Sequence, residues 1–262
     1  MLKKKRQLKY LHKRWAHMHH QLQTFSNDGG QEAIHKLRVE IKKVRAFIQF
    51  SHALKGQHLS TTGLKKIKRI FKHAGTIRDA YTSLLAMKRY RVNNTALRSE
   101  EAGIIKGESG KFRARYDKYN KRISKADKTF RKKVHGVKNN KIRHWFDTQL
   151  SIIASVLDRF SVYQLHPARK RIKTLLYILA VLPEKMATSL RLNTAYLDKL
   201  QDAIGQWHDH TTATALLMGK TSKGNLVSKL LEEEHKTLEE VRQLSADFLS
   251  KVKDCPPVPP EP

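Results

Sequence analysis

The stretch HKLRVEIKK, residues 35–43, decides how this chain is read. Around it Ile34, Leu37, Ile41, Val44 and Ile48 recur at i, i+3, i+7, i+10 and i+14, the stripe of an amphipathic helix. His35, Arg38, Lys42 and Arg45 keep the same rhythm, displaced about 100° round the helix from the apolar stripe. Their side chains form a ladder of donors roughly 15 Å long at about 1.5 Å of rise per residue.

The pattern occurs twice. HPARKRIKT at 166–174 aligns with the first stretch and pairs His35 with His166, Arg38 with Arg169 and Lys42 with Lys173. Tyr177 extends this second ladder by one turn. Further along, AGTIRDA at 74–80 aligns with IGQWHDH at 204–210, pairing Gly75 with Gly205 and Asp79 with Asp209. Offsets of 131 and 130 residues, in the same order, point to a duplicated helical unit. The expectation is an all-α fold of two four-helix bundles related by a pseudo-two-fold axis. If the halves pack face to face, the two ladders line one basic central channel. Gly75 and Gly205 suit helix–helix corners or a close approach between helices. Asp79 and Asp209 suit caps on a following helix, or carboxylates that hold a basic residue of the ladder, better than they suit catalysis.

Elsewhere the periodicity predicts helices near 3–25, 31–53, 60–74, 78–91, 97–135, 140–158, 164–181, 194–206, 208–218 and 222–252, and no strand. SNDGG at 26–30 is the turn that ends the first helix and starts the second. The basic stretch 106–143 has few large apolar residues and fits either a long exposed helix or a linker between halves. The helical domain is expected over 1–252, with halves at about 1–135 and 136–252 and a disordered Pro-rich tail at 253–262.

Charge narrows the class of function. Lys and Arg number 53 against 23 acidic residues, a formal net charge of +30 over 262 residues. Residues 1–150 hold 38 Lys/Arg and 10 Asp/Glu, while residues 151–262 hold 15 and 13. A compact body with this charge attracts polyanions: nucleic acid, polyphosphate or an anionic membrane. The single Cys255 excludes a disulfide framework and a cysteine-based zinc site. The basic N-terminus lacks the apolar run of a signal peptide, and no stretch has the length of a membrane span. The expectation is a soluble, cytoplasmic protein with no membrane partner.

The ladders suit a flexible chain of phosphates. Arginine holds phosphate oxygens through two parallel hydrogen bonds, and lysine acts as a mobile point charge. A histidine beside several cations is pushed toward neutrality when the site is empty and toward protonation when a polyanion binds. The alternative for His35 and His166 is a core histidine hydrogen-bonded to a neighbour.

HKLRVEIKKVR, then a G-x-x-R-D block, then both again as H-P-A-R-K-R-I-K and L-Q-D-A-I-G-Q-W-H-D, resembles the CHAD family, the conserved histidine α-helical domain. The resemblance runs from about residue 5 to 250. It implies two four-helix bundles around a basic channel, inorganic polyphosphate as the ligand, and association with polyphosphate granules. Matched residue by residue, it implies binding by His35, Arg38, Lys42, Lys43 and Arg45, and by His166, Arg169, Lys170 and Lys173. Lys65, Lys68, Arg69 and Lys72, on the helix leading into Gly75, are further candidates. Their counterparts are Ala195, Asp198, Lys199 and Asp202, so the patch is not duplicated and the first half is expected to carry more of the affinity. His208 stands where the first half has Arg78, which leaves that position's role open.

Some members of the family carry a triphosphate-tunnel domain marked by E-x-E-x-K on a strand. Here the pattern falls at Glu232, Glu234 and Lys236 in a helical segment, so it reads as coincidence. Two other functions compete. His208-Asp209 in an all-helical protein suggests a metal-dependent HD phosphohydrolase, but the matched pair is Arg78-Asp79 and arginine is no metal ligand. The run His12, His17, His19 and His20 reads as a His-rich basic helix before a metal site. Nucleic acid is allowed by charge, yet no aromatic residues interleave with the ladder to stack bases. No cofactor, no metal and no catalysis are expected.

Overall fold

The computed structural model describes residues 1–54, 62–218 and 224–253. Eleven helices occupy these residues: α1 (Lys4–Asp28), α2 (Gln31–Ala53), α3 (Thr62–Arg89), α4 (Thr95–Arg113), α5 (Tyr116–Arg131), α6 (Asn139–Asp158), α7 (Val162–Leu179), α8 (Glu184–Thr188), α9 (Thr194–Leu217), α10 (Gly224–Ser245) and α11 (Phe248–Lys253). Among the described residues there is no strand, only an isolated antiparallel bridge between Leu2 and Val137. The fold is all-α.

The chain divides into two compact units. The first, Lys3–Gly136, holds α1 to α5; the second, Met1–Leu2 with Val137–Met218 and the described residues from 224 onward, holds α6 to α11. In the first unit α1 packs on α2, α2 on α3, and α3 on both α4 and α5, while α5 returns to α1. Four positions result, the fourth shared by α4 and α5. In the second unit α6 packs on α7, α7 on α9 and α9 on α10, with α11 against α6 and α9.

The apolar stripe of α2 forms the core as its spacing predicts: Ile34, Leu37, Ile41 and Val44 are fully buried, and Ile48 nearly so. Trp15 and Phe25 of α1, with Phe47 and Phe50 of α2, fill the first unit. Each such side chain contributes about 1.5–3 kcal/mol relative to exposure. The α1–α2 turn follows from its glycines. Gly29 adopts φ 66°, and its N–H donates to the Phe25 carbonyl at 2.9 Å, while Gly30 is extended and starts α2. Two asparagines start other helices. Asn94 accepts from the Leu97 N–H and Asn193 from the Tyr196 N–H, each at 2.9 Å.

Several predicted boundaries are corrected. Residues 60–74 and 78–91 are not two helices; α3 runs unbroken through Gly75. Likewise α9 runs through Gly205, where helices 194–206 and 208–218 were expected. The single helix 97–135 is broken at Ala114–Arg115 into α4 and α5. The basic stretch 106–143 is thus helical for most of its length, not a linker. Expected helix 222–252 breaks before α11 at Asp247, which takes φ 53°. The short α8 carried too little periodicity to be predicted. Lys253 ends α11, and the rest of the expected Pro-rich tail lies outside the described residues.

His73 joins three helices near the α4–α5 break. Its Nδ1 is 2.7 Å from the Tyr119 hydroxyl, its Nε2 is 3.1 Å from Oε2 of Glu108, and its ring packs on Phe112. Burial holds this imidazole below its ordinary value, with Arg115 acting the same way and Glu108 opposing. The unfolded chain therefore takes up the proton first. Stability from neutral His73 is complete above about pH 6.5 and declines as pH falls toward the depressed folded value. In urea melts, His73→Gln should flatten the dependence of unfolding free energy on pH between about 7 and 5. An unchanged slope would show that His73 does not titrate with unfolding.

Candidate polyanion-binding site

The ladder of α2 is built around one partly buried guanidinium. Arg38 Nη1 donates to the Phe71 carbonyl of α3 at 2.7 Å, and its Cζ lies 4.1 Å from the Phe71 ring centroid. A Cβ placed on Gly75 would stand 2.5 Å from Arg38 Nη1, and its three nearest heavy atoms would all belong to Arg38. Gly75 is therefore no corner. It is a bare point on a continuous helix where a side chain from the neighbouring helix is seated.

The second unit makes the same contact. Arg169 Nε of α7 donates to the Gln201 carbonyl of α9 at 2.9 Å, and a Cβ on Gly205 would meet Arg169 Nη2 at 2.5 Å and Cζ at 2.9 Å. In both units the accepting carbonyl lies four residues before the glycine. A mid-helix glycine costs about 1 kcal/mol relative to alanine. A charge-assisted hydrogen bond of about 1.5–3 kcal/mol outweighs that loss.

Around Arg38 the first unit gathers cations. His35 and Lys42 are exposed on α2, and Arg45 lies 5.6 Å from the Phe71 ring. On α3, Lys65, Lys68 and Lys72 are exposed and lead at helical spacing to Gly75, so they flank the seated guanidinium. Arg69 is exposed too, but roughly 100° further round the helix than Lys68. Burial draws the Arg38 guanidinium below its ordinary value, Asp79 opposes this, and Arg78 adds to it. Asp79 is inside α3 and caps nothing; its carboxylate favours the charge on Arg38.

Lys43 is turned elsewhere. Its Nζ is 3.0 Å from Glu40 Oε1, which also lies 3.1 Å from Arg14 Nη1 and 3.9 Å from His17 Nδ1. Glu40 is only 7% exposed, so this carboxylate ties α1 to α2 and draws Lys43 toward α1. The sequence reading did not single out Glu40. Its place opposite the ladder on α2, in a chain so short of acids, was the available signal.

The second ladder sits in a different field. Lys173 Nζ donates to Gln201 Oε1 at 2.9 Å, and Gln201 Nε2 donates to Asp202 at 2.6 Å. Burial and then Arg169 hold the Lys173 ammonium below its ordinary range, while Asp202, Asp198 and Asp209 oppose them. His166 packs on His208 with ring centroids 4.7 Å apart, so position 208 supports the ladder's histidine. Lys170 is exposed. Where α3 presents Lys68 and Lys72, α9 presents Asp198 and Asp202. The same scaffold is strongly cationic in one unit and largely compensated in the other.

The residues weighed for metal binding are dispersed. His12 contacts Arg131, His17 approaches Glu40 and His19 meets Asn120. Among the described residues no group of three His, Cys, Asp or Glu side chains is arranged to hold a metal ion. Glu232, Glu234 and Lys236 lie within helix α10.

The guanidinium seats are testable by a double-mutant cycle. With Arg38 present, Gly75→Ala should gain little stability or lose some, because the new methyl displaces the guanidinium. In an Arg38→Ala background the same change should stabilise by up to about 1 kcal/mol, giving a coupling of about 1–2 kcal/mol. Additive effects would mean that the contact contributes nothing.

The profile of the CHAD domain family matches residues 9–218. The crystal structure of the CHAD domain from the plant Ricinus communis is similar in fold, with a TM-score of 0.62 at 14% identity over 95% of this chain and 89% of that one. No curated protein matches the chain. The seated arginines and their glycines fall inside the matched span, and the chain belongs to the CHAD family.

Proposed function

We propose that this protein binds inorganic polyphosphate, using the basic faces of α2 and α3 in one unit and of α7 in the other. The observation that carries the reading is the α2–α3 face, where the exposed residues Lys42, Lys65, Lys68 and Lys72 flank the seated Arg38. Membership of the CHAD family supports the choice of ligand. A flexible phosphate chain places an acceptor against every donor of such a face without needing a shaped pocket.

The first unit supplies most of the affinity in this account. In the second, Lys173 is engaged by Gln201, and the carboxylates of α9 lower the local potential. Arg169, Lys170 and His166 add weaker contacts from the second unit. The protein acts by binding and not by catalysis, in the cytoplasm and in association with polyphosphate granules. No helix among the described residues is long and apolar enough to cross a membrane.

Titration with polyphosphate and single-stranded DNA at one ionic strength tests the reading. Lys42→Glu, Lys68→Glu and Lys72→Glu together should weaken polyphosphate binding at least about a hundredfold while the helical circular dichroism persists. Asp198→Lys with Asp202→Lys should tighten it. No phosphate should be released in either case. Tighter binding of DNA than of polyphosphate, or a triple variant that binds as wild type does, would contradict the proposal.

A further inference from the structure

A second basic surface stands on the opposite edge of the first unit. Helices α1 and α5 run antiparallel there: His12 meets Arg131, His19 meets Asn120, and Gln23 meets Tyr116. Tyr119, Ile123, Ala126 and Phe130 of α5 are buried. Asn120, Ser124 and Arg131 face α1. The outer side of α5 and its C-cap carries a row of lysines, Lys118, Lys121, Lys125, Lys128 and Lys132, all exposed, bordered by Asp117, Arg122 and Thr129. Their i, i+3, i+7, i+10, i+14 spacing lays them along one helix face for about 21 Å. Lys9 and Lys13 of α1 are exposed as well.

The row carries a large excess of positive charge. Of the two carboxylates of α5, Asp127 is held by Arg131 Nε at 2.6 Å, and exposed Asp117 stands one turn before Lys121. Among the described residues none of the five lysines makes an ion pair. Like charges three and four residues apart on a helix repel one another, so the row opposes folding unless an anion lies along it. The five lysines keep helical spacing over about four turns, with one acid, Asp117, beside them.

The row differs in kind from the α2–α3 face. It has no seated guanidinium, and α5 itself carries no histidine and no exposed aromatic side chain for stacking bases. A duplex winds away from a straight helix and presents it with few phosphates, whereas a flexible single chain follows all five charges. The packing order α1, α2, α3 and α4/α5 puts the row across the unit from the ladder.

We infer that the lysine row of α5 is a second, separate binding surface for polyphosphate, so that one protein holds two segments of polyphosphate at once. This rests on the reading of the ladder as a polyphosphate site. Bivalency of this kind makes the protein a cross-linker of long chains.

The test counts sites in the intact chain by calorimetric titration with short polyphosphate and follows light scattering with long polyphosphate. Lys118→Glu, Lys121→Glu, Lys125→Glu and Lys128→Glu together should lower the number of short chains bound by one. They should leave the tightest dissociation constant within about twofold and abolish the scattering rise with long chains. The four Lys→Gln changes should act in the same direction, which guards against misfolding of the reversed variant. Unchanged stoichiometry and scattering would overturn the inference. Loss of the tightest site together with the second would also overturn it, because the row would then belong to one continuous site. Loss of duplex DNA binding in place of polyphosphate binding would assign the row to nucleic acid and reject it as well. If the variant at Lys42, Lys68 and Lys72 keeps every polyphosphate site, the ladder reading fails while the row stands.

Discussion

Two arginines laid against bare helix backbone fix the design of this protein. Arg38 against Gly75 and Arg169 against Gly205 set how closely α2 approaches α3 and how closely α7 approaches α9. Each guanidinium uses part of its donor fork on a backbone carbonyl, and helix periodicity then aligns the remaining cations. His35 lies one turn before Arg38 and Lys42 one turn after it, so the ladder inherits its geometry from the seated residue. The glycine is required by space and not by conformation. Both glycines lie inside regular helix, and any Cβ there would strike the arginine.

From that shared scaffold the two units diverge by charge. Exchanging Lys68 and Lys72 for Asp198 and Asp202 at matched positions turns a cationic face into a compensated one without altering the arginine seat. Surface charge is inexpensive to change because it adds little to stability, while field strength at a binding face depends on it directly. Glu40 illustrates the opposite case. A nearly buried carboxylate draws Arg14, His17 and Lys43 into one cluster.

Much of this was legible in the sequence, and the failures have physical causes. The stripe from Ile34 to Ile48 marked α2 and its buried face, and SNDGG marked the α1–α2 turn because only glycine takes φ 66° there without strain. Gly75 and Gly205 misled at the level of helices. Glycine is a poor helix former, so each was read as a helix end or a close approach between helices; the close approach holds, and its partner sits 37 or 36 residues earlier on another helix. The break at Ala114–Arg115 has no proline or glycine at the break itself and left no local signal. His73 was invisible for a related reason: its burial depends on Tyr119 and Glu108 arriving from α5 and α4. The spacing suggested the ladder, and Asp198 and Asp202 pointed to a weaker second half, but the contacts of individual members were not legible. Only the tertiary structure shows that Lys173 is engaged by Gln201.

The central claim is that seated guanidiniums organise a face on which a phosphate chain lies. Nitrogen-15 NMR of the arginine side chains observes it most directly. Slow rotation and resolved Nη resonances are predicted for Arg38 and Arg169 in the free protein, distinct from the rapidly averaging surface arginines. On addition of polyphosphate Arg38 should stay slow and shift most, with Arg169 shifting less. Freely rotating Arg38 and Arg169, or resonances indifferent to polyphosphate, would contradict the account.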